Sequence, residues 1–436
     1  MKIPFQDVHF NLNVAGIAGF FGGEEAFAAM SSVHLVQGRR WLGWYNSPGS
    51  YYVAKKYGVL AKSKIWDGLY PGVNVDPATM LELDGKVGPR YVGAHSGTRI
   101  NATGHLAYLL MEYCSKSKPT AARLGPSLLT IVTLQESELQ GAITLPASPF
   151  DPFAIIPICF SISSAVICAI FGDWYCFAMI MLGVICNGLS CYVIGSATLE
   201  FIPPTSSQYS PPGDGILLGP AGSRVMVVKG SERVVARVTR GRFNLRYTSE
   251  PKYHNIGFIS LALTTQFLLQ LFIIPQGKLF GQIMFLSSLS VSWIFNAYLA
   301  SVDRQDLQKE ILTTAILGNL RLDTVGLPKW MSLVAFAAVC LEAKAEDTRA
   351  ILDEMIPNNT EVWKRVKEAV AEAEGEAFEN QPNLEGLNEQ EKGLLRDMLE
   401  QARIGYEEAK QYKMGQRLVR PAYGAPVVLA YQPKYT

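Results

Sequence analysis

Charged side chains are almost absent from two long blocks of this 436-residue chain, residues 151–199 and 256–301. The charged residues inside these blocks are Asp151, Asp173 and Lys278. The regions around the blocks have ordinary charge, and the overall charged fraction of 18% lies below the roughly 25% typical of soluble proteins. This partition indicates membrane-spanning segments that alternate with soluble regions.

Other signals are missing as well. The amino-terminal sequence MKIPFQDVHFNL has no continuous apolar stretch, so we expect no signal peptide. The seven cysteines form no legible disulfide framework, and the five histidines have no metal-ligand spacing. The string GILLGPAGSR lacks the GKS or GKT ending of a phosphate-binding loop. We therefore expect no enzyme activity, no cofactor and no bound metal.

What the sequence does contain is four apolar segments of the length that a membrane-spanning helix needs, about 20 residues. The segments are residues 153–171, 174–195, 256–275 and 279–301. Gly172-Asp173 links the first two, and Gln276-Gly277-Lys278 links the last two. Such short links predict two tight antiparallel hairpins. Buried helices of a soluble protein are the alternative.

Four crossings place the amino-terminal region, the central loop and the carboxyl-terminal region on one side of the bilayer. An excess of Lys and Arg near span ends marks the cytoplasmic face, so we expect both termini in the cytoplasm. The glycosylation sequons at Asn101 and Asn358 are then expected to carry no glycan.

The predicted spans contain no Asp, Glu, Lys, Arg or His in their interiors, which disfavours a proton-coupled pump. They do contain stripes of small and polar residues at helical spacing. The residues are Gly183, Asn187, Cys191, Gly195, Gln266, Gln270, Ser288, Ser292 and Asn296. One interpretation is packing of helices within the bundle or between subunits. The other is a pore or lipid groove lined by polar groups, which would require an oligomer.

Residues 224–247, RVMVVKGSERVVARVTRGRFNLRY, contain seven basic residues and one acid in an alternating pattern. We predict three strands that form a small half-buried sheet with most arginines on one face. The arginines of this face are Arg233, Arg237, Arg242 and Arg246. Phe243 and Tyr247 lie on the opposite face, which argues against nucleic-acid binding. The arginine face would contact anionic lipid headgroups, an acidic helix or only solvent.

The predicted fold class is an integral membrane α-helical protein with four transmembrane helices in two hairpins. An α+β region at 1–150 precedes the hairpins at 151–200 and 256–301, a basic β insert at 201–255 separates them, and a helical region at 302–416 and an extended tail at 417–436 follow. Residues 388–412 form a charged helix whose apolar stripe packs on its own domain or binds a helical partner.

Four stretches resemble uncharacterised multi-pass membrane proteins of mushroom-forming fungi. They are WYCFAMIMLGVICNGLSCYVIGS, PPGDGILLG, RGRFNLRYTSEPKYHNIG and IIPQGKLFGQIMFLSSLSVSWIFNAYLAS. The resemblance covers about residues 150–302 and is looser through the carboxyl-terminal helices. It implies a membrane location and a fungal source, and it implies no activity.

The expected function is therefore that of a non-enzymatic, homo-oligomeric membrane protein that organises the membrane or cytoplasmic partners. The expected partners are membrane lipids and further copies of the chain, and no nucleic acid. A channel or transporter subunit for a neutral or weakly selective solute is the alternative.

Overall fold

The structure is a computed structural model, and it describes residues 21–72, 75–116, 125–136, 143, 151–207, 209–222, 224–247, 253–318, 320–372 and 384–418. Apart from its first two residues, which end a helix, the predicted tail at 417–436 lies outside these ranges.

In chain order, the helices are α1 (Gly23–Ser31), α2 (Ser50–Gly58), α3 (Lys64–Leu69), α4 (Pro77–Met80), α5 (His105–Ser115), α6 (Asp151–Ile170), α7 (Trp174–Ile194), α8 (Glu232–Thr239), α9 (His254–Ile273), α10 (Leu279–Ala300), α11 (Arg304–Ile311), α12 (Trp330–Leu341), α13 (Ala345–Met355), α14 (Glu361–Ala371) and α15 (Glu389–Leu418). The strands are β1 (Arg90–Gly93), β2 (Arg99–Ile100), β3 (Ser127–Leu134), β4 (Thr198–Ile202), β5 (Gly215–Leu218), β6 (Val225–Lys229), β7 (Arg242–Arg246) and β8 (Leu320–Leu327).

Helices α6, α7, α9 and α10 are long and apolar enough to cross a membrane, which indicates a membrane location. They lie where the sequence predicts spans. Only residues 171–173 separate α6 from α7, and only residues 274–278 separate α9 from α10. Gly172, in the first of these links, has a φ of 72°, a left-handed conformation that favours glycine.

A six-stranded sheet of order β2-β1-β5-β6-β3-β8 forms the centre of the soluble part. β3 and β6 pair in parallel, and the other neighbours pair antiparallel. Its strands come from before α6, from between α7 and α9, and from after α10. Three regions that were predicted as separate domains therefore share one sheet.

Helices cover both faces of this sheet. Side chains alternate between the faces along each strand, so Met226 and Val228 of β6 point into one core while Val225 and Val227 point into the other. Helices α5, α8 and α11 contribute to the first core, and α12 to α15 contribute to the second. The first core continues into the apolar helices, where it includes Ile194 of α7.

The structure corrects the prediction of a small basic sheet at 224–247. The first segment is β6 of the large sheet, and the third is β7, which pairs with β4 in a separate two-stranded sheet. The second segment, predicted as a strand, is helix α8. Val234, Val235 and Val238 are buried at a spacing of three and four, so the helical period overrides the alternation that also fits this short stretch.

The carboxyl-terminal helix packs on its own domain. Buried Leu395, Ala402 and Ala409 lie along the face that α15 packs against α12. The Asn388 side chain accepts a hydrogen bond of 2.8 Å from the Glu391 backbone, and Glu391 accepts one of 2.9 Å from the Asn388 backbone. This reciprocal pair confirms the predicted helix start.

Candidate functional site

A non-helical segment of the amino-terminal region, residues 42–49, lies among the four apolar helices. We call it the inserted segment; its sequence is LGWYNSPG. It connects a turn at the end of the bundle with helix α2, and α1 and α2 begin side by side. A Cβ atom on Gly49 would lie only 2.3 Å from the Cα of Gly23, so the two helix starts touch.

Asn46 lies at the middle of the bundle. Its backbone N–H donates to the hydroxyl of Ser161 over 3.0 Å, and its side-chain amide donates to the hydroxyl of Ser288 over 2.8 Å. Ser161 and Ser288 each lie nine residues from the end of their helix that adjoins a short link, as does Gly183. At 1.5 Å per residue this is about 14 Å, half the thickness of a bilayer core.

Two span asparagines bind the same segment. The Asn187 side chain donates to the carbonyl of Gly43 over 2.7 Å. The Asn296 side chain accepts from the Tyr45 hydroxyl over 2.7 Å and donates to the Ser47 hydroxyl over 3.0 Å. Non-helical backbone at membrane depth needs such partners, because lipid offers none.

The small residues of α7 make room for this segment. A Cβ on Gly183 would lie 2.0 Å from the Asn46 side-chain oxygen, and a Cβ on Gly43 would lie 2.4 Å from the Cys191 sulfur. A Cβ on Gly195 would lie 2.4 Å from the Cβ of Arg40. The predicted stripe Gly183, Asn187, Cys191 and Gly195 thus contacts residues 40–46 along its whole length.

The remaining predicted stripe residues are buried as well, with fewer partners. Gln270 donates to the carbonyl of Met179 over 3.3 Å and accepts from Gln266 over 3.5 Å. Within the described ranges, several buried side-chain oxygens have no hydrogen-bond partner, among them those of Asn46, Ser50, Gln266 and Ser292.

Asp173 connects the two short links at the far end of the bundle. Its carboxylate accepts hydrogen bonds from the backbone N–H of Cys176 over 3.2 Å and of Lys278 over 2.7 Å. It therefore caps the start of α7 and also holds the link between α9 and α10. A Cβ on Gly281 would lie 2.0 Å from this carboxylate, so glycine is required there.

Arg39 is a buried cation that the sequence analysis missed, because it lies outside the spans in sequence. Its side chain is 3% exposed, donates to the carbonyl of Leu42 over 3.4 Å and lies 5.3 Å from the centre of the Phe295 ring. Among the described residues its Nε has no partner. Tyr45 and Asn46 were not predicted as functional residues either. The sequence offers two signals for them: the aromatic and Asn-Ser-Pro-Gly stretch that contains them, and the polar stripes of the span helices, which lack an assigned partner.

The predicted arginine face is divided in the structure. Arg242 and Arg246 are exposed on β7, with Phe243 and Leu245 buried opposite them as expected, and Arg246 lies 3.6 Å from Glu200. Arg233 is exposed on α8 instead. Arg237 is not on a surface: it is 3% exposed and donates to the carbonyl of Ile316 over 3.3 Å.

The described part of the chain contains no group of three or more His, Cys, Asp and Glu side chains that would hold a metal ion. No protein-family model, no curated protein and no solved structure matches the sequence or the fold.

Proposed function

We propose that α6, α7, α9 and α10 cross a bilayer as two hairpins and that the sheet lies on the cytoplasmic side. The support is the origin of the strands, which come from three regions separated by the hairpins. These three regions can pair in one sheet only if they lie on the same side of the bilayer. The chain must therefore cross the bilayer an even number of times between one region and the next. The short links on the opposite side contain Asp173 and Lys278 as their charged residues, which fits a non-cytoplasmic face.

Glycosylation tests this orientation. The side chains of Asn101 and Asn358 are exposed, so a glycan would meet no obstacle at either sequon. We expect no change in mass after treatment with an N-glycosidase when the chain is expressed in a glycosylating host. A glycan on either asparagine would place the sheet on the opposite side.

The function we propose is that of a non-enzymatic, oligomeric protein that organises the membrane or cytoplasmic partners. One observation carries this proposal: the inserted segment fills the middle of the bundle. Its hydrogen bonds with Ser161, Asn187, Ser288 and Asn296 occupy polar groups that would otherwise be available to line a path. A filled bundle favours an anchor over a conduit.

The outer face of α6 is where we place the contact between copies. In an 18-residue apolar stretch of each helix, 33% of the residues of α6 are buried, against 39% in α9 and α10 and 56% in α7. Its exposed face has Ile155 and Val166 on either side of two small residues one turn apart, Cys159 and Ser163. Small residues at this spacing let helix backbones approach closely in a bilayer.

Cys159 provides the experiment, since it is the exposed one among the seven cysteines. Mild oxidation of native membranes should yield a disulfide-linked dimer. The dimer should persist in Cys340→Ser, a buried control, and disappear in Cys159→Ser. A strict monomer in lipid nanodiscs that also fails to cross-link contradicts the proposal.

A channel or transporter for a neutral solute is the second candidate. The observation that favours it is the set of unpartnered oxygens of Asn46, Ser50, Gln266 and Ser292, which would bind water or a polar solute. Flux of a neutral solute into proteoliposomes should then fall in Gln266→Leu and Ser292→Ala. Ser290→Ala is the control, because Ser290 is exposed and bonds only its own helix at Leu286. Flux that is absent, or unchanged in the two test variants, rejects this candidate.

A further inference from the structure

A cavity of about 390 Å³ lies where α7 ends and the soluble part begins. Its walls come from residues 33–41 on one side and residues 195–199 on the other, together with Ile143. The volume falls in the range of small-molecule sites, about 300–1,000 Å³. Trp174–Ile194 spans 21 residues, so the cavity lies at the level where a bilayer core gives way to headgroups.

The cavity is suited to an anion. Within the described part of the chain, Arg40 is the one charged residue in its lining. The guanidinium lies 5.1 Å from the ring of Trp41 and 6.0 Å from the ring of Tyr192, so it is held at the cavity mouth. Among the described lining residues no carboxylate competes with a ligand for this guanidinium.

His34 lies in the cavity wall with unused hydrogen-bonding capacity. The side chain is 2% exposed, and neither ring nitrogen has a hydrogen-bond partner of suitable geometry among the described residues. Burial lowers the pKa of His34 to about 4, with a weaker opposing effect from the backbone of Ala197. The ring is therefore neutral near pH 7, and a ring nitrogen that the Ala197 backbone does not engage can hydrogen-bond a hydroxyl group.

An apolar track leads from the cavity mouth along α7. The Tyr192 ring contacts the Trp41 ring at a tilt of 51°, with ring centres 5.0 Å apart, and Leu189 and Ile185 continue the exposed face towards the middle of the helix. The three positions are three and four residues apart and therefore lie on one side of the helix. Acyl chains in a bilayer run parallel to such a track.

We propose that this cavity binds an anionic glycerophospholipid whose headgroup contains hydroxyl groups. The phosphate lies at Arg40, a headgroup hydroxyl lies at His34, and an acyl chain follows Tyr192, Leu189 and Ile185. Trp41 and Tyr192 mark the interface, the depth at which aromatic side chains are enriched in membrane proteins. The site is separate from the proposed contact between copies at α6, so neither proposal depends on the other.

Lipid binding to the full-length chain in nonionic detergent tests the site. Native mass spectrometry and titration would compare phosphatidylglycerol with phosphatidylcholine of the same acyl chains. We expect one tightly bound phosphatidylglycerol per chain and about tenfold weaker binding of phosphatidylcholine. Glycerol 3-phosphate, which lacks the chains, should not displace the bound lipid.

Two substitutions remove the charge preference, and each has a control. Arg40→Gln should bring phosphatidylglycerol down to the affinity of phosphatidylcholine, whereas Arg396→Gln, exposed on α15, should not. Gly38 lines the cavity at a φ of 82°, and a Cβ there meets nothing within 4 Å. Asp and Asn tolerate this conformation, so Gly38→Asp should abolish the preference and Gly38→Asn should keep it.

The outcomes separate the possibilities. Equal affinities for the two lipids, or a preference that survives both Arg40→Gln and Gly38→Asp, overturn the proposal. Displacement of the lipid by glycerol 3-phosphate also overturns it, because the cavity would then bind soluble phosphates. Cross-linking through Cys159 should be unchanged in these variants, so failure of the lipid site is distinguishable from failure of the oligomer.

Discussion

Asn46 donates a hydrogen bond of 2.8 Å from its side-chain amide to the hydroxyl of Ser288, although 242 residues separate them in sequence. The contact joins the amino-terminal region to the centre of the fourth apolar helix. It explains why a serine occupies the middle of an apolar helix: a buried polar segment needs hydrogen-bond partners that lipid cannot supply. The inserted segment is therefore part of the bundle core.

Gly183→Ala tests the contact between α7 and the inserted segment. The new Cβ would lie 2.0 Å from the side-chain oxygen of Asn46, so the side chain or the backbone must move. We expect a loss of about 1–3 kcal/mol in the free energy of unfolding, the usual cost of overpacking. In an Asn46→Ala background the obstacle is gone, and the further cost of Gly183→Ala should be smaller. Unfolding in detergent, arranged as a double-mutant cycle, measures the coupling.

Gly68→Ala is the control for this cycle. A Cβ atom on Gly68 in α3 would have no other atom within 4 Å, so alanine fits at this position without a clash. Its effect should be small and should not depend on Asn46. Strictly additive costs for Gly183→Ala and Asn46→Ala would show that the two residues do not touch.

Asp173→Asn tests the connection between the two short links. The variant keeps the shape of the side chain but replaces one acceptor oxygen with an NH2 group, which cannot accept a hydrogen bond from a backbone N–H. We expect a loss of about 1–3 kcal/mol in the free energy of unfolding, because the Cys176 or Lys278 N–H loses its partner. Asp303→Asn, at an exposed helix cap, should cost less than about 1 kcal/mol. Equal losses would mean that Asp173 acts only as a cap.

The sequence predicts the elements whose pattern is long. The four apolar helices and the start of α15 lie where the apolar runs and the helical pattern of the sequence place them. Helix α8 was predicted as a strand because eight residues fit both periods, and the sequence contains no information on which core will cover Val234 and Val238. The large sheet determines which side of α8 is buried, and the strands of this sheet come from distant parts of the chain.

The inserted segment was beyond prediction for a related reason. The stripes on the spans indicated that polar groups need partners, but the partners lie 115 to 251 residues away, in a Gly- and aromatic-rich region without helical periodicity. Trp44 and Tyr45 fit a soluble core as well as a helix bundle. The close contacts that Gly183 and Gly188 make with the inserted segment show that these residues pack in the helix bundle. Such contacts are visible only in the tertiary structure.

Arg237→Gln and Arg242→Gln distinguish the observed positions of these arginines from a shared solvated face. Arg237 is buried, and burial lowers the pKa of its guanidinium, yet the side chain hydrogen-bonds the Ile316 carbonyl. Its replacement should cost about 1–3 kcal/mol of the free energy of unfolding. Arg242 is exposed on β7, and its replacement should stay within about 0.5 kcal/mol. If neither substitution changes the free energy of unfolding, the buried position of Arg237 is contradicted.

His34 should make the protein sensitive to acid. Its pKa is lowered from 6.5 to about 4 by burial, so the unfolded chain takes up a proton below about pH 6.5 while the folded chain resists until about pH 4. Protonation therefore favours the unfolded state throughout this window, and stability is lost as the pH falls. The total is about 3 kcal/mol at pH 4, since each pKa unit corresponds to about 1.4 kcal/mol.

His34→Gln isolates this effect from the protonation of carboxylates, which weakens most proteins in acid. Glutamine cannot take up the proton, so the variant should lose less stability than the unmodified chain between pH 7 and pH 4. The difference between the two proteins in the free energy of unfolding should therefore change by about 3 kcal/mol across that range. Denaturant unfolding at a series of pH values measures it. Parallel pH profiles would mean that the His34 ring has the same pKa in the folded and the unfolded chain, which contradicts its burial.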